Sequence, residues 1–121
     1  MHRVGVDIIE IGRVEAALIR WGERFLHRIY TEAEIDSCQN RVPSLAARFA
    51  AKEAVMKVLG VGTWEVGWRE IEVRSDNKGR PLVCLHGGAR GHAEKIGLDG
   101  LDISLSHSRD YAIASVVGEI P

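Results

Sequence analysis

The segment from Leu45 to Leu59 constrains the fold more than any other part of the chain. Its polar side chains are only Arg48, Lys52, Glu53 and Lys57. Pro43 and Ser44 before it and Gly60 after it are typical of a helix beginning and ending. A helix that is apolar around most of its circumference has to be covered on several sides. The rest of the chain must therefore wrap around this helix.

Alternating residues and turn signals predict five strands, and most of them follow the long helix. The predicted strands are 3–9, 70–74, 81–85, 101–106 and 111–117. Further helices are predicted from Gly12 to about His27, from a Thr31–Glu34 capping box onward, and over 87–97. Most of the predicted helices come early in the chain and most of the strands come late. This order indicates an α+β fold with a mostly antiparallel sheet. No GxGxxG or phosphate-loop lysine motif supports a doubly wound nucleotide fold.

Length and charge narrow the class of protein. The chain has 121 residues, which predicts a single domain over 1–121. Lys plus Arg number 16 and Asp plus Glu number 17, so the net charge of -1 gives no case for nucleic acid or a membrane surface. Asp7 interrupts the first apolar stretch, which argues against a signal peptide. We therefore expect a cytoplasmic protein whose Cys38 and Cys84 are reduced.

Two acidic residues lie where chemistry is plausible. Asp7 stands in an otherwise apolar strand, so it must be solvated, paired, bound to a cation, or used as a cap near Gly12. Glu53 shares one helical row with Phe49 and Lys57. One interpretation is a plain ion pair with lysines reaching water. The other is a site where Glu53 helps hold a metal while Arg48, Lys52 and Lys57 face phosphate. Magnesium takes one or two protein carboxylates plus substrate phosphates, so acids and cations together suit a diphosphate ester.

Three arginines mark a candidate docking surface. On a continuous helix Arg13, Arg20 and Arg24 fall within roughly 40° of one another, at about 100° per residue. They flank the apolar face of Val14, Leu18, Trp21 and Phe25. The stripe is either a solvated face or a surface that attracts an acidic partner.

Three strings carry a specific resemblance. They are Gly5-Val6-Asp7-Ile8-Ile9, Arg48-Phe49-Ala50-Ala51-Lys52-Glu53-Ala54 and Ile103-Ser104-Leu105-Ser106-His107-Ser108. In this order and at these separations they closely resemble the holo-acyl-carrier-protein synthase family, small phosphopantetheinyl transferases of the bacterial type. The match also includes Arg28-Ile29-Tyr30-Thr31 and Gly79-Arg80-Pro81, and it runs essentially from end to end. The resemblance implies the 4′-phosphopantetheinyl transferase fold, with one long helix and several short ones against the sheet.

The same resemblance implies a reaction and residue roles. The 4′-phosphopantetheine arm of coenzyme A would move to a serine of apo-acyl carrier protein, releasing adenosine 3′,5′-bisphosphate, in fatty acid biosynthesis. Asp7 and Glu53 match magnesium ligands, and Lys57 matches a lysine near the diphosphate. Residues matching coenzyme A positions are Arg48, Lys52, Arg80 and His107. The arginine stripe would dock the acidic carrier, and the assembly would be a homotrimer with sites between subunits.

Other interpretations stay open on the residues alone. The chain could be a non-catalytic module that binds coenzyme A or a nucleotide diphosphate, a structural protein, or a magnesium-dependent phosphohydrolase. His107 continues the phase of Leu105, so it could be a core residue instead of a ligand-binding one. Trp64 and Trp68 are expected to be partly buried.

Overall fold

The long helix lies at the centre, and the remaining elements surround it. The computed structural model describes residues Met1–Pro121. Its elements are β1 (His2–Glu10), α1 (Ile11–Trp21), α2 (Glu23–Ile29), α3 (Glu32–Cys38), α4 (Val42–Leu59), a single 3-10 turn (Trp68–Glu70), β2 (Ile71–Ser75), β3 (Pro81–Leu85), α5 (Gly87–Ile96), β4 (Leu101–His107) and β5 (Tyr111–Glu119). The α+β prediction is confirmed.

All strand pairs are antiparallel, in two sheets. The larger sheet has the order β1-β5-β4, and β2 pairs with β3 in a separate hairpin. Helix α4 packs against β1 and β5 through fully buried alanines. The approach is closest at Gly5, where an added Cβ would lie 2.1 Å from the carbonyl oxygen of Ala54. A glycine is required there because any side chain would push β1 away from α4.

Two helix boundaries differ from prediction. The helix expected from Gly12 to His27 is broken at Gly22, whose φ of 55° and ψ of -130° suit only glycine. Its continuation is the separate helix α2, so the arginine stripe does not lie on one continuous helix. Helix α4 begins at Val42 instead of Leu45, because Pro43 fits the first turn of a helix, where its missing N–H needs no partner.

The predicted capping box begins α3 and also ties it to β2. The Thr31 hydroxyl accepts a hydrogen bond from the Glu34 backbone N–H, and the Glu34 carboxylate accepts one from the Thr31 N–H at 2.9 Å. The other Glu34 oxygen accepts from the Val73 N–H at 2.9 Å. Helix α3 is thereby fixed to the hairpin beside α4.

One face of the larger sheet covers α4, and the opposite face is open and apolar. Along β1 the side chains facing α4 alternate with exposed Val4, Val6 and Ile8. Ile113 and Val117 of β5 continue this outer face beside them. An apolar sheet face in contact with water usually marks an interaction surface. None of the helices has the length and apolarity needed to cross a membrane.

Candidate active site

A cavity of about 490 Å³ opens where β1, α1 and α4 meet. Its charged lining is Asp7, Arg13 and Glu53. The remaining wall is mostly apolar and includes Val14, Ala17, Phe25, Phe49 and Trp68. We call it the acid-lined cavity. It combines a small charged floor with an apolar wall, which is the usual composition of a small-molecule site.

The close packing of β1 on α4 brings the two acids to this cavity. Asp7 points to the same side of β1 as Gly5, because side chains alternate along a strand. Glu53 immediately precedes Ala54, against whose carbonyl Gly5 packs. Lys57 lies one helical turn further along α4, and its ammonium is 3.3 Å from Asp7 Oδ1. The same ammonium donates to the Val6 carbonyl at 2.8 Å.

The charges of this cluster are close enough to affect one another. Burial, followed by the negative charge of Asp7, raises the pKa of the Glu53 carboxyl above its ordinary value. The positive charges of Lys57 and Arg13 act in the opposite direction but do not cancel the rise. Two carboxylates that repel each other beside two cations form a site that a divalent ion and a phosphate would both suit.

The donor set fits magnesium. Asp7 and Glu53 provide two carboxylates on one cavity, and Mg²⁺ is usually bound by one or two carboxylates together with waters and substrate phosphates. No cluster of three or more His, Cys, Asp or Glu side chains is arranged to hold a metal.

The structure corrects the expectation for Lys52. Its side chain is completely buried, and its ammonium donates to Glu34 Oε1 at 2.7 Å, to the Trp68 carbonyl at 3.1 Å and to the Ile71 carbonyl. An ammonium has three N–H donors, so none remains for a phosphate. Lys52 points away from the cavity because successive helical residues diverge by about 100°.

Arg48 also turns toward the hairpin instead of the cavity. It is 8% exposed, and it donates to the Val73 carbonyl at 3.4 Å and to the Ser37 hydroxyl at 3.3 Å. A role with coenzyme A therefore stays a prediction for this residue. The structure does not bring it together with Asp7 and Glu53.

The other two expected ligand-binding residues are exposed and lie in separate depressions. Arg80 ends the β2–β3 turn, where Asp76 Oδ1 accepts from the backbone N–H groups of Lys78 and Arg80. His107 lies at the end of β4 in a depression that it shares with Ile8. Ile8 also lines the acid-lined cavity, so the two openings are adjacent.

The three arginines occupy three different positions. Arg13 lines the acid-lined cavity, while the Arg20 guanidinium lies 4.9 Å from the centre of the Trp21 ring. Arg24 lines a second cavity of about 580 Å³ together with Arg28. The break at Gly22 therefore separates Arg24 from Arg13 and Arg20, and of the three arginines only Arg13 lines the acid-lined cavity.

An aromatic wall between the two cavities was not foreseen as part of the site. Phe25, Phe49 and Trp68 line both of them. Phe49 stacks on Trp68 with ring centres 4.8 Å apart and on Phe25 at 6.5 Å. The helical row of Phe49, Glu53 and Lys57 was a usable signal for Phe49. No signal identified Trp68, which is partly buried as expected, whereas Trp64 is 85% exposed.

Comparisons with known proteins show the family to which the chain is similar. Residues 3–116 match the 4′-phosphopantetheinyl transferase superfamily. A holo-[acyl-carrier-protein] synthase from Dehalococcoides mccartyi is 55% identical over 119 residues, covering 98% of this chain and 99% of the relative. One from Herpetosiphon aurantiacus is 52% identical over 121 residues, covering 94% and 95%.

Solved structures show the same architecture. The Helicobacter pylori holo-[acyl-carrier-protein] synthase in complex with coenzyme A is similar with a TM-score of 0.89 at 33% identity, covering 97% of this chain and all of the other. The Chronobacterium ammoniagenes synthase–coenzyme A complex also has a TM-score of 0.89, at 30% identity, covering 100% and 98%. The chain thus belongs to the 4′-phosphopantetheinyl transferase superfamily, as a transferase of the holo-[acyl-carrier-protein] synthase type.

Proposed function

We propose that this transferase moves the 4′-phosphopantetheine arm of coenzyme A to a serine of apo-acyl carrier protein with the help of magnesium, in cytoplasmic fatty acid biosynthesis. The proposal rests on one observation: Asp7 and Glu53 line the same cavity, and the Lys57 ammonium forms an ion pair with Asp7. The whole chain, 1–121, would act as one catalytic domain.

The reaction transfers one phosphoryl group. The carrier serine oxygen forms a bond to the phosphorus that bears the pantetheine arm, and the bond from that phosphorus to the bridging oxygen breaks. Adenosine 3′,5′-bisphosphate leaves with the bonding electrons, and the serine proton passes to a neighbouring base. A magnesium ion held by Asp7 and Glu53 would neutralise charge on the diphosphate.

The chain's own residues would position and balance the charges. Lys57 is 55% exposed, so its ammonium can reach a phosphate oxygen placed beside Asp7. Arg13 lines the same cavity and adds a second positive charge beside the acids. Such fixed charges favour the transition state of phosphoryl transfer through positioning and electrostatics.

Coenzyme A and the carrier would meet at the mouth of the cavity. His107 would contact coenzyme A from the adjacent depression, whereas Arg80, on the β2–β3 turn, and Arg48, beside the hairpin, would contact it away from this cavity. Arg13, Arg20 and Arg24 would attract the acidic carrier, whose association would weaken as salt screens the charges.

Three copies of the chain would complete the site. Val4, Val6 and Ile8 are 65%, 51% and 61% exposed on the outer sheet face, which a second copy would cover. Ile8 lies between this face and the acid-lined cavity, so a neighbour packed there would reach the cavity. Repeating one contact around a threefold axis closes a ring.

Intact-mass measurement tests the activity. The purified chain is mixed with magnesium, coenzyme A and an apo-carrier protein, and the carrier is expected to gain the phosphopantetheine group. A carrier with Ala in place of the acceptor serine is the matched control and should stay unmodified. Coenzyme A that is bound but not consumed would indicate a binding module instead.

Analytical ultracentrifugation tests the assembly. The wild-type chain is expected to sediment as a trimer, and Val6→Glu should yield a folded monomer because a buried charge without a partner opposes association. The exposed Ile19→Glu on α1 is the control and should remain trimeric. A fully active wild-type monomer would contradict a site shared between subunits.

A further inference from the structure

Lys52 is fully buried, although its neighbour in the chain lines the active site. Glu53 faces the acid-lined cavity, whereas Lys52 faces α3 and the start of β2. Burial lowers the pKa of the Lys52 ammonium below its ordinary value, although the charge of Glu34 acts to raise it. Burying a charge pair in this way costs free energy that a methionine of similar length would not cost. The lysine therefore provides something that an apolar side chain does not.

The three N–H groups of Lys52 each bind a specific acceptor, which an apolar side chain could not do. One binds Glu34, and the other two bind the carbonyl oxygens of Trp68 and Ile71, at the two ends of the segment that includes the 3-10 turn. That turn has only three residues, and such short turns have little stability of their own. Lys52 thus attaches the Trp68 backbone to the centre of α4.

The Trp68 carbonyl binds Lys52, whereas the Trp68 ring lies in the wall of the acid-lined cavity. It stacks on Phe49 at 4.8 Å with planes 25° apart, and both rings line the acid-lined cavity with Glu53. Phe49 and Lys52 are both on α4, so the helix holds Trp68 twice: once through its ring and once through its backbone.

We propose that Lys52 is a positioning residue: through the Trp68 carbonyl it holds the aromatic wall of the acid-lined cavity in the shape that binds coenzyme A, without touching the substrate. The proposal rests on the function proposed above. It assigns to Lys52 an effect on affinity for coenzyme A instead of on the chemical step.

Two variants separate positioning from simple stabilisation. Glu34→Gln removes the ion pair but leaves the ammonium bonded to both carbonyls. Glu34→Gln/Lys52→Met removes both charges together, so no buried charge is left unpaired, and it also removes the bonds to Trp68 and Ile71. The melting temperature, kcat and KM for coenzyme A are measured for each, beside Val116→Ala, which thins the buried core of β5 away from the wall.

Positioning predicts that Glu34→Gln lowers the melting temperature but leaves KM near that of the wild type. The double variant should raise KM about 10-fold while kcat changes less than about twofold, since the binding wall is displaced but the charged groups on the other side of the cavity are not. If KM in all variants simply follows the melting temperature, Lys52 is only structural and the proposal is overturned. The same holds if the folded double variant keeps the wild-type KM.

Trp68 itself provides a readout that needs no turnover. In a Trp21→Phe/Trp64→Phe background the emission reports Trp68 alone, and Lys52→Met with Glu34→Gln should shift it to longer wavelength as the ring gains contact with water. Glu34→Gln alone should leave it unchanged. Unchanged emission in the folded double variant would overturn the proposal. A wild-type chain that fails to bind coenzyme A in calorimetry would instead overturn the proposed function.

If the double variant does not fold, Trp68→Ala is used to test the proposal instead. Positioning predicts that Trp68→Ala raises KM for coenzyme A at least as much as expected for the loss of Lys52, about 10-fold, with kcat little changed. An unchanged KM would show that the wall held by Lys52 does not govern affinity, which overturns the proposal.

Discussion

Lys52 and Glu53 are neighbours on α4, but they belong to two charged clusters, one buried and one open to a cavity. The open cluster comprises Asp7 and Glu53, which line the acid-lined cavity, and Lys57, which contacts Asp7; burial and, after it, the negative charge of Asp7 raise the pKa of Glu53. The closed cluster pairs Lys52 with Glu34 in the interior, and no buried side-chain nitrogen or oxygen of the molecule lacks a partner. A raised carboxyl pKa in a cavity is typical of a site that binds a ligand or an ion, and complete pairing is typical of a structural contact.

The largest expected effect comes from neutralising an acid of the open cluster. Asp7→Asn and Glu53→Gln should each lower the transfer rate at least about 100-fold, because either change removes one of the two carboxylates that hold the metal in the proposed function. Carrier modification followed by mass spectrometry measures the rate. Glu53→Gln should also raise the melting temperature of the metal-free protein, since it removes a half-buried charge that Asp7 repels.

Near-normal turnover of either variant at limiting magnesium would contradict this assignment. Glu10→Gln provides the matched control, because Glu10 is an exposed acid on the same strand and the first in sequence after Asp7. It should leave both rate and melting temperature unchanged.

The same substitution at two lysines sharpens the comparison. Lys52→Met leaves the buried Glu34 carboxylate without its cation and should reduce the free energy of unfolding by about 3–5 kcal/mol. Lys57→Met should change it by less than about 1 kcal/mol, because Lys57 is 55% exposed. Urea denaturation measures both values.

The two lysines should also differ in how their substitution affects activity. Lys57→Met should lower kcat about 10- to 100-fold, because it removes the positive charge that the proposed function places beside the diphosphate. Equal loss of stability in the two variants, or full activity of Lys57→Met, would remove the distinction between an open and a closed cluster.

Gly5→Ala should disrupt the open cluster through the backbone. Its Cβ would meet the Ala54 carbonyl at 2.1 Å, and because neither backbone can yield easily, we expect a loss of about 1–3 kcal/mol and a weaker response to magnesium. Gly91→Ala in α5 is the control: nothing lies within 4 Å of its added Cβ, so helix propensity should raise stability by about 0.5–1 kcal/mol. Thermal unfolding with and without magnesium measures both, and a Gly5→Ala protein as stable as the wild type would argue against close β1–α4 packing.

The smallest expected effect is the pH response of Glu72, which extends the closed cluster. Burial acts to raise its pKa, but hydrogen bonds from Thr31 and His86 and the charge of Arg74 outweigh it and hold the pKa below the ordinary value. Its contribution to stability is therefore present above the ordinary Glu pKa and is lost as pH falls through the lowered value. Glu72→Gln should be less stable than the wild type near neutral pH, and the difference should shrink in acid. A difference that grew in acid would reverse the assigned direction.

The sequence predicts the elements whose signals are local. Strand alternation, the Thr31–Glu34 capping box and the apolar run of α4 all correspond to elements of the structure. The break at Gly22 was missed because its neighbours keep helical spacing on both sides, and only the backbone angles reveal it.

Sequence patterns do not predict contacts between side chains that are far apart in the chain. Glu34 and Lys52 are 18 residues apart, and no periodicity indicates that the capping-box carboxylate also neutralises a buried lysine. The approach of Asp7 to Glu53 was expected only from the family resemblance, because it depends on Gly5 permitting a close contact. Charged residues on one helix look alike in sequence, and what they pack against decides their roles.

Titration of the metal-free protein with Mn²⁺ in the presence of coenzyme A, followed by electron paramagnetic resonance, tests the shared cation site most directly. The wild type should bind one ion per chain, and Asp7→Asn and Glu53→Gln should each lose that binding while remaining folded. Undiminished binding of the ion by either variant would show that the two carboxylates do not share it.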